Sequence, residues 1–317
     1  MSTKREVLSI LERSFGSAVS GQEIAETLGV SRTAVWKAIK ALEAEGYEIK
    51  AVTNLGYRLV NADILNAEGI AANMTHRVPV KTFMEIDSTN AEAKRMIAAG
   101  AEHGTVIAAD SQTAGRGRFG KSFYSPKGTG LYLSVILKPD STHISDAQMI
   151  TVAAAVVTAR AIESLTGRHV DIKWVNDLFL EGKKVCGILT EAVSDFESGR
   201  VDSIVVGIGI NCSTAAFPTE IQGVAGSLGA DKLSRNRLAA MVADGLIDSF
   251  GNLSDPAIID DYRSRSIITG KEIVYMEAGR ERAAVVESIN DRGNLVVRDS
   301  AGEVSVISSG EVSIKRW

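Results

Sequence analysis

The stretch Gln112-Thr113-Ala114-Gly115-Arg116-Gly117-Arg118-Phe119-Gly120-Lys121 sets three glycines and three cations between Gly115 and Lys121. Glycine permits positive φ and lets a backbone approach a ligand closely, and both freedoms cost entropy unless something orders the loop. The guanidinium forks of Arg116 and Arg118 suit a carboxylate or a phosphate, so the guest this loop calls for is a small anion with polar edges. Standing alone, the run also reads as a flexible basic hairpin tip. It does not stand alone. Downstream, Lys173-Trp174-Val175-Asn176-Asp177 and Gly182-Lys183-Lys184-Val185-Cys186-Gly187-Ile188-Leu189 form a second polar cluster that interrupts apolar, strand-like runs.

Those runs decide the fold class. From Val80 the pattern alternates: a strand over 80–86, a helix over 91–99 capped by Ser88, Thr89 and Asn90, a strand over 105–109. Leu131 to Leu137 reads as a buried strand, and Ser145 opens a long alanine-rich helix to Leu165. The runs 170–174, 178–180, 184–191 and 204–211 read as successive antiparallel strands. The expected class is α+β, with a mixed central sheet and helices segregated against one face over residues 63–268. Short alternating strands over 271–275, 281–289, 294–298 and 303–307 predict a small SH3-like β-barrel over 269–317. Ser88, Thr89 and Asn90 are cap residues first, but at a helix amino terminus they also offer hydroxyls and an amide to a polar guest.

Residues 1–62 follow a different pattern. Gln22 to Leu42 reads as a helix, a turn at Gly29, Ser31 as N-cap and a further helix, which is a helix-turn-helix. Ala34, Val35, Ala38, Ile39 and Leu42 are expected to face inward, towards the core. Ser31, Arg32, Thr33, Trp36, Lys37 and Lys40 face out, a set able to touch phosphates and base edges. Gly46, Tyr47, Val52, Gly56, Tyr57 and Leu59 are expected in a two-stranded wing, and Asn61, Ala62 and Asp63 in a connection. The 8 Lys and Arg of residues 1–60 barely exceed the 7 Asp and Glu, so a protein-interaction module competes with operator DNA binding. The clustering of cations on one helix favours DNA.

With 317 residues, 45% hydrophobic and 23% charged, the chain has ample core for several domains. A net charge of −4 argues against a chain that coats nucleic acid throughout. Thr151, Thr158 and Arg160 interrupt the longest apolar region, so no membrane association is expected. Residues 1–6 carry no apolar signal segment. Cys186 and Cys212 sit in apolar surroundings without metal-ligand spacing. A reducing cytoplasm and no protein-held metal site are expected.

The loop at 115–118, the run 173–177, Lys184 with Gly187-Ile188-Leu189, and Gly207-Ile208-Gly209-Ile210-Asn211 together resemble biotin protein ligase. With the amino-terminal helix-turn-helix, the whole chain is similar to the bifunctional bacterial form, the biotin operon repressor. The resemblance implies that biotin and ATP with Mg²⁺ form biotinyl-5'-AMP, and that biotin passes to a lysine of a biotin carboxyl carrier protein. It implies Arg118, Lys184 and Asp177 as catalytic. It implies Ser88, Thr89, Asn90, Gln112, Gly115, Arg116, Gly117, Lys184, Gly187 and Gly209 around biotin, with Gly187 and Gly209 leaving room for it. Arg118, Asn176 and Asn211 fall on the nucleotide side. It implies a homodimer promoted by biotinyl-5'-AMP, formed near Gly187 to Val193. The chain departs from the family pattern at Phe119, where a third basic residue is common, and at Gly223-Val224, where a tryptophan is often seen. Both departures bear on how the adenylate is retained.

Two other functions fit parts of the pattern. One is a lipoate or octanoyl ligase on the same fold, against which the Gly-Arg-Gly-Arg loop and the Lys173 to Asp177 run speak. The other is a DNA-binding regulator whose central domain senses a ligand without catalysis, against which Arg118, Lys184 and Asp177 speak.

Overall fold

The computed structural model describes residues 2–44, 47–61, 64–139, 147–194, 201–230, 233–277 and 279–315. Gly46, Ala62, Asp63 and Ser145, with the expected boundary between 62 and 63, lie outside the described residues.

At the amino terminus lie α1 (Thr3–Arg13), β1 (Ala18–Val19), α2 (Gly21–Leu28), α3 (Arg32–Ala44), β2 (Glu48–Val52) and β3 (Gly56–Asn61). The turn forms as its residues dictate: Gly29 ends α2 at φ +64°, and Ser31 Oγ accepts the Ala34 N–H at 3.2 Å. Val35, Ala38, Ile39 and Leu42 are buried against Val7, Leu8 and Leu11 of α1 in a core of their own. The wing has three strands rather than two, in order β1-β3-β2. Gly56 explains the addition. At φ +110°, a Cβ there would lie 2.1 Å from the Val19 carbonyl oxygen, so only glycine lets β1 pair so closely.

The middle of the chain contributes α4 (Ala67–Asn73), β4 (Val80–Phe83), α5 (Thr89–Ala98), β5 (Val106–Ala109), β6 (Gly130–Leu137), α6 (Ala147–Thr166), β7 (Asp171–Lys173), β8 (Asp177–Leu180), β9 (Lys183–Ser194), β10 (Val201–Asn211), α7 (Arg235–Phe250) and α8 (Pro256–Ser264). The mixed sheet runs β4-β5-β6-β10-β9-β8-β7, parallel between β4 and β5 and antiparallel elsewhere. Alternation sorts its side chains. Val106, Val135 and Val206 join the main core under α6 and α7, while Ile107, Ile136 and Val205 face the other way, onto Ala93 of α5. The helices are therefore not all on one face: α5 crosses to the opposite side, because β6 and β10 are apolar on both. Residues 189–194 of β9 run past β8 and, among the described strands, pair with β10 alone.

Residues 148–166 of α6 are long and apolar enough to cross a membrane, despite the interruptions noted in the sequence. Here that apolarity is buried. Ala153, Ala154, Ala155 and Ala159 are buried all round the helix, and Gly245 of α7 admits Val157, whose Cγ1 would lie 2.6 Å from a Cβ there. Each fully buried Val, Leu or Ile of this core contributes about 1.5–3 kcal/mol.

The last strands are β11 (Glu272–Glu277), β12 (Arg280–Ile289), β13 (Leu295–Asp299), β14 (Val304–Ile307) and β15 (Val312–Ile314), an antiparallel sheet in order β14-β13-β12-β11-β15. Its core residues Ile273, Val286, Leu295 and Val297 are continuous with the central core. The Gly293 carbonyl, accepting from Trp174 Nε1 at 2.8 Å and Gln148 Nε2 at 2.6 Å, pins the two sheets together.

The amino-terminal core meets the rest through a buried polar joint. Glu12 of α1, 1% exposed, accepts from Asn73 Nδ2 at 2.6 Å and Asn236 Nδ2 at 3.1 Å, and a Cβ on Gly69 would crowd both Glu12 and Asn236. Burial outweighs the two amides and pushes the Glu12 carboxyl from 4.5 up to about 7. A raised acid pKa means that the folded chain holds this proton where the unfolded chain has lost it. The stabilisation is therefore complete below the unfolded value and disappears as pH rises through the folded one. Unfolding free energy should fall by about 2 kcal/mol between roughly pH 5.5 and pH 8 on this account. Urea titrations across that range should show the loss, and Glu12→Gln should flatten it; an unaltered slope in the variant would contradict the assignment.

Candidate active site

One face of the central sheet carries a cavity of about 440 Å³ lined by Ser88, Thr89, Asn90, Gln112, Arg116, Gly117, Arg118, Asn176, Asp177, Lys184, Gly187, Gly209 and Asn211. Nearly every residue singled out in the sequence for this site converges here, from elements far apart in the chain. Lys173, Phe123 and Glu311 also line it, and sequence reasoning did not place them in the site.

One end is neutral and polar. Ser88 stands at the N-cap position of α5 but its side chain makes no capping hydrogen bond, contrary to the cap chemistry expected of it. Thr89 donates its backbone N–H to Gln112 Oε1 at 2.8 Å, and Gln112 Nε2 donates to Ser125 Oγ at 3.0 Å. The Asn90 amide is drawn to the sheet: Nδ2 donates to Glu191 Oε2 at 2.8 Å and to the Leu189 carbonyl at 3.3 Å, and Oδ1 accepts from Ser134 Oγ at 2.6 Å. Gly207 makes this possible, since a Cβ there would lie 2.1 Å from Asn90 Oδ1.

The glycine-rich loop folds back as a small hairpin. Gly117 N–H donates to the Lys121 carbonyl at 2.7 Å and Phe123 N–H to the Gly115 carbonyl at 2.9 Å, with Phe119 at φ +55° and 66% exposed at the tip. Gly115 does not line the cavity. A Cβ there would meet the Phe123 carbonyl and Ser125 Oγ at 2.7 Å, so the glycine serves packing of the loop against Gln112. Gly187 and Gly209 face each other across β9 and β10 and hold the Phe123 ring, whose Cε1 would lie 2.5 Å from a Cβ on Gly209. The room these two glycines leave is taken by an aromatic ring of the chain itself, rather than standing open.

The other end is charged. Arg118 donates from Nη1 to Asn176 Oδ1 at 3.1 Å and from Nη2 to the Gly310 carbonyl at 2.9 Å. Asn176 is in turn tied to β9, donating from Nδ2 to the Ile188 carbonyl at 2.9 Å. Lys184 Nζ lies 2.7 Å from Asp177 Oδ1. Burial pushes the pKa of Lys173 down, with Asp177 opposing and Lys184 adding to the effect, and burial likewise lowers Arg118. Lys121 pairs with Glu311, whose carboxyl that contact holds below its usual value. Asn211 Nδ2 donates to the Gly226 carbonyl at 2.9 Å, while its buried Oδ1 has no hydrogen-bond partner. Lys184 N–H donates to the Val224 carbonyl at 2.8 Å, which brings the 217–225 segment over the charged end.

On the amino-terminal unit, Ser31, which caps α3, and Arg32, Thr33, Trp36, Lys37 and Lys40 on that helix are all exposed. A groove between α3 and the wing is lined by Arg32, Thr33, Trp36, Asn54, Leu55 and Tyr57. Lys40 pairs with Glu43 at 2.6 Å, an exposed contact too weak to withhold it from a phosphate.

Two glycines separate backbone from side-chain crowding. Gly115→Ala drives a methyl into a carbonyl oxygen and should cost about 1–3 kcal/mol in urea unfolding. Gly209→Ala meets only a ring that can swing away, and should cost less. Equal losses would count against this reading of the loop.

Comparison with known proteins agrees with the geometry. Residues 83–211 match the Biotin/lipoate A/B protein ligase family, and residues 3–58 match an HTH domain family. The bifunctional ligase/repressor BirA of Bacillus spizizenii is 38% identical over 236 residues, 71% of this chain and 70% of that protein. The bifunctional ligase/repressor BirA of Escherichia coli is 28% identical over 307 residues, 95% of this chain and 94% of that protein. Among solved structures, the biotin protein ligase from Aquifex aeolicus in complex with biotin and ATP superposes with a TM-score of 0.64 at 26% identity, covering 75% of this chain and 99% of that one. With a cavity that has one neutral polar end and one cationic end, set in this sheet beside a helix-turn-helix, and with matches that extend along nearly the whole chain, the protein belongs to the biotin/lipoate A/B protein ligase family in its bifunctional ligase/repressor form.

Proposed function

We propose that this biotin protein ligase forms biotinyl-5'-AMP in the cavity described above, and passes the biotinyl group to a lysine of a biotin carboxyl carrier protein. The observation that carries the reading is the gathering of Arg118, Lys173 and Lys184 at one end of a cavity whose other end is neutral and hydrogen-bonding. A molecule with a polar ring and a carboxylate fits that gradient, and a nucleotide triphosphate fits the cations beyond it.

In the first step a carboxylate oxygen of biotin bonds to the α-phosphorus of ATP, and the bond to pyrophosphate breaks. In the second the lysine amine bonds to the acyl carbon, AMP leaves with the bonding electrons, and the amine gives up a proton. Ser88, Thr89 and Gln112 meet the ring; Arg116 and Gly117 meet the carboxylate from the hairpin. Arg118 and Lys184 stabilise charge developing on the transferred group, which is the main work of such sites. Asn176 and Asn211 lie on the nucleotide side, where the Asn211 oxygen is unspent. Asp177 takes the amine proton once Lys184 turns to the phosphate. Among the described residues no three His, Cys, Asp or Glu side chains gather as a metal cage. Mg²⁺ suits the site as a partner of ATP phosphates, keeping its waters and neutralising charge. Asn90 lines the polar end as well, with its amide held by Glu191 and the Leu189 carbonyl.

The exposed face of α3 and the wing groove suit operator DNA, and two copies would provide the affinity that one nearly neutral domain lacks. Residues 189–194 of β9, paired with another strand on one side only among the described residues, are an edge at which two chains can join into a homodimer. Ordering of the hairpin by biotinyl-5'-AMP would couple ligand to dimer, and by reciprocity the dimer would hold the adenylate more tightly. ATP and the buried thiols Cys186 and Cys212, which form no disulfide, fit a cytoplasmic setting.

The test is direct. Protein incubated with biotin, MgATP and a carrier domain should raise the carrier's mass by one biotin and release pyrophosphate. Lys184→Ala should lower adenylation about 10²–10³-fold with little change in melting temperature. Absence of biotin-dependent pyrophosphate release, or full turnover in a folded Lys184→Ala protein, would overturn the assignment.

A further inference from the structure

Glu191 of β9 lies outside the cavity, and both its oxygens are committed. Oε1 accepts from Lys94 Nζ at 2.7 Å and Oε2 from Asn90 Nδ2 at 2.8 Å. Although burial opposes ionisation, the Lys94 ammonium and the Asn90 amide hold this carboxyl below its usual value. It is therefore an acceptor and not a donor.

That fact propagates. Facing Glu191 and the Leu189 carbonyl, Asn90 must present Nδ2 to them, which turns Oδ1 towards Ser134. Asn90 Oδ1 only accepts, so the 2.6 Å contact uses the one proton of the fully buried Ser134 hydroxyl. The 2.8 Å contact between Ser134 Oγ and Thr89 Oγ1 must then use the proton of Thr89. Gln112 Oε1, 3.2 Å from the Thr89 hydroxyl, is already supplied by the Thr89 backbone N–H at the shorter 2.8 Å. A lone pair of Thr89 Oγ1 is what remains for the cavity that Thr89 lines.

We infer that Glu191 is a positioning residue that sets the hydrogen-bond direction of the cavity's polar end, through Asn90 and Ser134, so that Thr89 Oγ1 accepts an N–H of the ligand. This rests on the biotin reading, in which a ureido ring supplies that N–H. Without the carboxylate only the longer 3.3 Å contact to the Leu189 carbonyl still holds Nδ2, and the Asn90 amide gains a turned-over population. Ser134 then becomes able to donate to Thr89, and the threonine proton meets the ligand's own.

The test is a double-mutant cycle read in biotin KM and kcat for adenylation, at a protein concentration where sedimentation shows monomer, because Glu191 lies on the unpaired half of β9. Glu191→Ala should raise the biotin KM roughly tenfold, the worth of about one hydrogen bond, with kcat within about twofold. In a Thr89→Val background the same change should add less than about twofold, since no hydroxyl is left to misdirect. The pair Lys94→Met with Glu191→Gln, which restores an uncharged acceptor towards Asn90, should return KM to near the unaltered value. Undiminished multiplication of the two KM effects, no rescue by the pair, or an unchanged KM in folded Glu191→Ala would each overturn the inference while leaving the ligase reading intact. Failure of the unaltered chain to use biotin would overturn both.

Discussion

Three cations share a small, partly buried space around Asp177, with Glu311 at its rim. Arg118 arrives from the hairpin, Lys173 from the end of β7 and Lys184 from the start of β9, with Asp177 between them. Burial lowers the pKa of both Arg118 and Lys173, a sign that the folded chain holds their charges less comfortably than water does. In the chain as it stands, Arg118 leans on the neutral oxygens of Asn176 and Gly310, and Lys121 leans on Glu311. Such an arrangement is completed by anions from outside. The helices and strands behind it hold the positive charges together until those anions arrive.

The opposite end follows the reverse principle, because it is neutral and almost fully hydrogen-bonded. Gly207 admits Asn90, and the Gly187 and Gly209 pair admits the Phe123 ring, so glycines on two neighbouring strands give the sheet surface its relief. A methyl on any of them would press a side chain into the cavity or out of its bonding partners. On the proposed reading, recognition of the neutral ring and stabilisation of the transferred phosphate are built on one sheet, from the floor of β9 and β10 and the glycine-rich hairpin between β5 and β6.

Much of this was legible in the residues. The helix-turn-helix could be read from Gly29, Ser31 and the inward spacing of Val35, Ala38, Ile39 and Leu42, because caps and periodicity are local. The site could be read from charged and glycine-rich runs that break apolar strands. What escaped depends on distant neighbours. Strand β15 has three residues, too few for a pattern, yet it brings Gly310 and Glu311 onto the hairpin. Helices α7 and α8 were passed over, although α7 carries Asn236 into the Glu12 joint. Asn90 reads as a ligand contact beside Ser88 and Thr89, and only the pairing of β9 with β10 reveals that Glu191 and Leu189 claim its amide. Likewise α5 is amphipathic in sequence, but which face of the sheet it covers is set by β6 and β10 being apolar on both.

The claim on which the rest turns is that the clustered cations await the anionic reactants, and Lys173 tests it most sharply because its side chain is half-buried without a direct hydrogen-bonded anion among the described residues. The measurement is calorimetric titration of ATP into biotin-saturated protein, comparing the unaltered chain with Lys173→Met. The account predicts ATP affinity weaker by about tenfold or more in the variant, the loss expected when one partly buried charge leaves an anion site. Equal affinity in the two proteins would contradict it.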